Sequence, residues 1–227
     1  DRVLATAGAD EAIDRVCRAY LGPGRTMVLP VPTFEMFERY AALAGGEIVE
    51  VPWPEGPYPA EAVAARVDGR TGVAVVCTPN NPTGAVAAEA DLERVARAAG
   101  RAVVILDHAY VEYGGEDLTR EGLRFPNVVV LRSFSKAWGM AGCRVGYALG
   151  DARVIAALRG AGGPYSVAAP SAALARARLR AGEAGLRAHV GRVRGECRAL
   201  RALLGDLGIG APASAANFVL ADAGRRA

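Results

Sequence analysis

The chain predicts an α/β fold, a three-layer sandwich in which a mostly parallel sheet is covered by helices on both faces. Short, wholly apolar runs such as Val73–Cys77, Val103–Leu106 and Val128–Leu131 read as strands buried on both sides, and helical segments alternate with them. Composition agrees: 52% hydrophobic and 22% charged residues over 227 positions exclude a disordered chain and leave length for one large domain and part of another.

The first element is a helix from about Asp10 to Leu21, with Ile13, Val16, Cys17 and Tyr20 on one face and Gly22-Pro23-Gly24 as its stop. Met27–Leu29 then reads as a strand, Phe34–Leu43 as a helix, Ile48–Val51 as a strand and Glu61–Val67 as a helix before the run at Val73. Glu89–Ala99 supplies the crossover to Val103, and Val145–Leu149 adds a strand whose direction the pattern leaves open. Past Gly150 the pattern turns helical, with Ala152–Gly160, Val167–Leu179 and Glu183–Leu204. The last carries an apolar stripe at Val190, Val193, Cys197, Leu200 and Leu204. Asn217-Phe218-Val219-Leu220 reads as the start of a strand with partners downstream. Gly160-Ala161-Gly162-Gly163-Pro164 is the best boundary, which gives a large domain over 1–163 and interdomain helices with the start of a smaller α/β domain over 164–227.

A net charge of +3, without segregation of acidic and basic residues, argues against nucleic acid as a partner, and the arginines of the last helix read as a solvated face. No apolar stretch approaches the ~20 residues needed to span a bilayer, and Asp1-Arg2-Val3-Leu4 has no signal-peptide pattern, so no membrane partner and a cytoplasmic location are expected. Cys17, Cys77, Cys143 and Cys197 are too far apart for a zinc motif, and reduced, mostly buried thiols without a metal site are expected.

Lys136 is the chain's single lysine; the other 26 of its 27 basic residues are arginine. It follows the apolar run Val128–Leu131, and an amine can form a Schiff base with an aldehyde where a guanidinium cannot. Asn80-Asn81-Pro82-Thr83-Gly84 and Asp107-His108-Ala109-Tyr110 also each follow a strand. In an open parallel sheet ligands bind outside the carboxyl ends of the strands, so the three segments converge on one site. Pyridoxal phosphate is the aldehyde cofactor whose needs these residues match. Asp107 suits the pyridinium nitrogen, while Ser133, Ser135 and Arg144 suit the phosphate. Gly8, Ala9 and Asp10 open the first helix, whose free N–H groups favour an anion. Asn81 and Tyr110 can donate to the phenolic oxygen, and Phe34 can stack on the ring. Asp10 serves equally as a helix cap and Phe34 as core. His108, one residue past a strand end, points away from the site by strand alternation and is expected in a structural role.

Gly8-Ala9-Asp10-Glu11-Ala12, Pro32-Thr33-Phe34, Asn80-Asn81-Pro82-Thr83-Gly84, Asp107 with Ala109-Tyr110, Ser133-Phe134-Ser135-Lys136 and Gly142-Cys143-Arg144 with Gly146 together resemble, in order and spacing, the fold-type I pyridoxal-phosphate aminotransferases of class I/II. The histidinol-phosphate aminotransferase branch is most similar, with Ala137-Trp138-Gly139-Met140-Ala141-Gly142 and Pro164-Tyr165-Ser166-Val167 as supporting marks. The resemblance implies the roles just given, with Lys136, Asp107 and Tyr110 catalytic. It also implies a homodimer with its sites at the subunit interface, and amino transfer from an amino acid or amino-alcohol phosphate to a 2-oxo acid such as 2-oxoglutarate. Family members extend further at both ends, and no arginine here can be assigned to the substrate carboxylate, so the chain resembles the cofactor-binding core of a longer enzyme. Decarboxylation of a phosphorylated amino acid on the same scaffold, and cofactor binding without turnover, stand as alternatives.

Overall fold

A computed structural model describes residues 1–222 and Gly224, so the last positions of the expected 164–227 region lie outside the described residues. Among the described residues one sheet holds β1 (Val3–Thr6), β2 (Thr26–Val31), β3 (Glu47–Pro52), β4 (Thr71–Cys77), β5 (Val103–Asp107), β6 (Val128–Ser133) and β7 (Gly146–Gly150). Its spatial order is β1-β7-β6-β5-β4-β2-β3. The run from β6 to β3 is parallel throughout, and β7 lies antiparallel to both β6 and β1.

The helices are α1 (Gly8–Tyr20), α2 (Met36–Leu43), α3 (Ala60–Arg66), α4 (Glu89–Ala99), α5 (Thr119–Gly122), α6 (Ala152–Ala161), α7 (Ala169–Arg180) and α8 (Ala184–Asp206). One face of the sheet packs Leu29, Val75, Ile105 and Leu131 against Ile13, Val16, Phe37 and Ile155 of α1, α2 and α6. The opposite face packs Val28, Val76, Leu106 and Val130 against Val63, Leu92 and Val95 of α3 and α4. Ile105 and Leu106 fall in different cores because successive side chains of a strand point to opposite faces, which is why these strands are apolar at every position. Each strand–helix–strand crossover closes on the buried faces it covers.

The structure completes or departs from the sequence reading in several places. β1 is a strand by virtue of its pairing with β7, from Val3 opposite Leu149 to Thr6 opposite Gly146, and its four residues carry too short a pattern to be read alone. The direction of β7, open in the sequence, is antiparallel to both β6 and β1. Phe34 precedes α2 rather than opening it, and its carbonyl accepts the Phe37 N–H at 3.1 Å in the entering turn. The apolar stripe of α8 is covered unevenly: Val190 is buried, Val193, Cys197 and Leu204 are half-buried, and Leu200 is 45% exposed. Asn217–Leu220 forms no strand among the described residues; Phe218 instead sets its ring edge-on to Tyr110, centroids 5.3 Å apart. No helix of the described residues is long and apolar enough to cross a membrane.

Candidate active site

The register of β4, β5 and β6 sets Cys77 beside Asp107 and Asp107 beside Leu131, so β4 and β5 end level and β6 runs two residues further to Ser133. Their C-terminal edge and the start of α1 border one cavity. Asp10, Phe34, Asn81, Asp107, Tyr110, Ser133, Ser135, Lys136 and Arg144 all line it. They come from six separate stretches of chain.

One wall is built to receive an anion. The first turn of α1 has no side-chain cap, which leaves its N–H groups at Ala9 and Asp10 directed to the cavity end of the helix. The Arg144 guanidinium lies against that turn, with Nη2 donating to Asp10 Oδ2 at 2.7 Å and Nη1 to Ser135 Oγ at 3.2 Å. A Cβ on Gly8, which sits at φ +80°, would fall 2.6 Å from Arg144 Nη2, so glycine is what lets guanidinium and helix meet. Arg144 itself adopts the left-handed conformation at φ 49°, a strained state for an arginine that recurs at functional sites. The Ser133 hydroxyl accepts the Ser135 N–H at 3.0 Å and holds the Ser133–Lys136 turn in place.

Asp107 is 4% exposed, and its Oδ1 accepts the Ala109 N–H at 2.9 Å. Burial pushes this carboxyl up from 3.8 to about 6, with the Asp10 charge adding to the rise and the Ala109 N–H and Lys136 opposing it. A buried carboxylate held this way is matched to a cationic partner inside the cavity. Lys136 Nζ stands 5.1 Å from the centre of the Tyr110 ring. Burial, then the nearby Asp107, Cys77, Asp10 and Tyr113, raise the Tyr110 phenol above its ordinary range, which keeps the hydroxyl protonated as a donor. His108 faces the other core as expected. Its Nδ1 meets the Thr78 carbonyl at 2.7 Å, its Nε2 accepts the Leu118 N–H at 3.1 Å, and burial pushes its pKa down to about 4.

The whole chain, residues 1–227, matches the family model described as aminotransferase class I and II. This chain belongs to the class I and II aminotransferases. It is 34% identical to the histidinol-phosphate aminotransferase of Paracoccus denitrificans, over 97% of this chain and 60% of that protein. It is 38% identical to that of Symbiobacterium thermophilum, over 100% of this chain and 63% of that protein. The solved histidinol-phosphate aminotransferase of Sinorhizobium meliloti, in complex with pyridoxal-5'-phosphate, superposes with a TM-score of 0.92 at 25% identity, covering 99% of this chain and 62% of that one. The chain thus spans less than two thirds of these aminotransferases.

Every site residue read from the aminotransferase motifs lies at or against the cavity, Gly8 through its contact with Arg144. Asp10 is not a helix cap: it sits inside the first turn and aims its carboxylate at Arg144. Phe34 lines the cavity and also packs edge-on to Phe37 at 6.3 Å, so site and core share it. Cys143 is only half-buried. Sequence reasoning missed Cys77, Ile13 and Ala109 as lining residues. It also missed Asn80, fully buried, whose side chain accepts from Thr33 Oγ1 at 2.8 Å and donates to the Pro32 carbonyl at 3.0 Å. Asn80 ties the Phe34 loop to the Asn81 loop, and its place after the apolar run of β4 was the available signal.

Proposed function

We propose that this chain carries the pyridoxal-phosphate site of an aminotransferase that moves an amino group from histidinol phosphate, or a similar aromatic or phosphorylated amine, to a 2-oxo acid such as 2-oxoglutarate. The observation that carries the reading is the meeting, in one cavity, of the chain's single lysine with a buried carboxylate and an uncapped helix end braced by Arg144. The donor set fits the cofactor: the uncapped first turn of α1 with Arg144, Ser133 and Ser135 beside it suits a phosphate, and Asp107 suits a protonated ring nitrogen. When bound, the cofactor supplies an electron-accepting ring for the bond-breaking at the substrate's Cα.

The residues of the chain divide the work. The α1 amides, Ser133, Ser135 and Arg144 would hold the phosphate, and Phe34, which lines the same cavity, would pack against the ring. Asp107 would keep a proton on the ring nitrogen, because a carboxylate in a dry site gains a strong stabilising partner in that charge. Asn81 and Tyr110 donate to the phenolic oxygen and orient the ring. Lys136 Nζ is the amine that would hold the aldehyde, and when free it would serve as the base that takes up and returns a proton. Family membership supports a cytoplasmic homodimer as the working form.

Borohydride reduction of protein incubated with pyridoxal phosphate, followed by peptide mapping, should place the pyridoxyl label on Lys136. Histidinol phosphate added to the unreduced protein should convert the visible band to that of the pyridoxamine form. A label confined to the N-terminal amine would overturn the assignment.

A further inference from the structure

The face of the sheet opposite the cavity holds a charge cluster that the reading above does not use. Arg132 is the residue before Ser133 on β6, and strand alternation turns it away from the cavity. Its Nη2 donates to Glu112 Oε1 at 2.9 Å, and its Nη1 to Asp117 Oδ2 at 3.0 Å and Thr119 Oγ1 at 3.2 Å. The Arg132 and Glu112 side chains are only 14% and 12% exposed. Glu112 Oε2 and Arg132 Nε are buried without a hydrogen-bond partner among the described residues.

As a stabilising device this pair is poor, since two charges have been taken out of water and each keeps an unsatisfied atom. Its placement suggests what it does instead. Glu112 lies two residues after Tyr110 in the turn that leaves β5, and Arg132 leads directly into the Ser133–Lys136 turn. On the cavity side the same two segments meet where Lys136 Nζ faces the Tyr110 ring. The ion pair at the back therefore ties together, by directed hydrogen bonds, the two segments that face each other at the front.

We infer that Arg132 and Glu112 are positioning residues that set where the Tyr110 hydroxyl stands relative to the cofactor held at Lys136. The inference rests on the proposed cofactor site. Tyr110 donating to the phenolic oxygen favours that oxygen's ionised form and lowers the pKa of the bound cofactor's visible band, so a Tyr110 turn that drifts lets this pKa rise. Of the other ionisable groups around Tyr110, Asp107, Asp10, Cys77 and Lys136 are left in place by substitution at 112 and 132, while Tyr113 loses the neighbouring Glu112 charge that helps to raise its pKa.

The test uses Glu112→Leu/Arg132→Met, an apolar pair that removes both charges, and Glu112→Gln as a conservative second variant. Thermal unfolding of the cofactor-free proteins, cofactor affinity by titration, and pH titration of the visible band are read for each, alone and combined with Tyr110→Phe. The apolar pair should unfold at or above the wild-type midpoint, as buried ion pairs replaced by well-packed apolar groups often do. It should also raise the band's pKa by roughly half a unit or more, a shift well outside the error of such a titration. Glu112→Gln should move it in the same direction, and adding Tyr110→Phe to either should move it no further than Tyr110→Phe alone. A wild-type band pKa in both variants, or shifts that simply add to that of Tyr110→Phe, would overturn the inference while leaving the cofactor site standing. A wild-type protein that develops no visible band would instead sink the cofactor site, and this inference with it.

Discussion

Asp107→Asn is expected to stabilise the cofactor-free protein while damaging its chemistry. The carboxyl is 4% exposed and is held at about 6 in place of 3.8, chiefly by burial. The folded protein thus binds this proton more tightly than the unfolded chain. Stability from the protonated form is present at low pH and is lost as the pH rises from 3.8 through 6. The displacement of about two pH units corresponds to about 3 kcal/mol at 1.36 kcal/mol per unit, fully felt above pH 6. An amide of the same shape can still accept the Ala109 N–H and has no charge to desolvate. Urea unfolding of the two cofactor-free proteins at pH 8 should favour the variant by up to about 3 kcal/mol, and the gap should close as the pH falls toward 4. Adjacent His108 contributes in the opposite sense, since its pKa is pushed down from 6.5 to about 4 by burial and its contribution is lost as the pH falls through that window. Taking the difference between wild type and variant cancels His108 and isolates Asp107. With cofactor bound, turnover should fall by on the order of 10²–10³, the loss typical of one preorganised electrostatic partner. Equal stability of the two cofactor-free proteins at pH 8, or a gap that widens in acid, would refute the reasoning.

Arg144→Ala should weaken cofactor binding rather than chemistry. It removes a charge-assisted bond to phosphate worth about 1.5–3 kcal/mol, roughly ten- to a hundredfold in dissociation constant, and leaves Asp10 unneutralised beside the anion. An unchanged dissociation constant in a titration of the cofactor-free protein would show that the phosphate is held elsewhere. In an Asp107→Asn background, adding His108→Gln should flatten the loss of stability between pH 6.5 and 4, because no buried imidazole then resists protonation. Unfolding curves across that range with the same acid slope in both proteins would count against the buried neutral histidine.

Much of the site was legible because its residues follow apolar runs. Asp107, Ser133 and Asn81 each come just after a stretch that can only be a buried strand, and a parallel sheet delivers such positions to one edge whatever the details of packing. Lys136 stood out by chemistry alone, as the one lysine among arginines. Asn80 passed unnoticed because a buried amide that braces two loops has the same local signature as an ordinary turn residue. The stripe of α8 was real as a period but said nothing of what covers it, and Leu200 remains exposed among the described residues.

The sequence by itself determined the strand–helix alternation, the two buried faces of the sheet and the inventory of reactive groups, since all three are written in local period and residue type. Tertiary structure alone decided which distant groups meet. Arg144 finds Asp10 across 134 positions, β1 becomes a strand by pairing with β7, and Arg132 reaches back 20 residues to Glu112 behind the site. Such contacts depend on strand order and on the closure of long loops, quantities that no local window of residues contains.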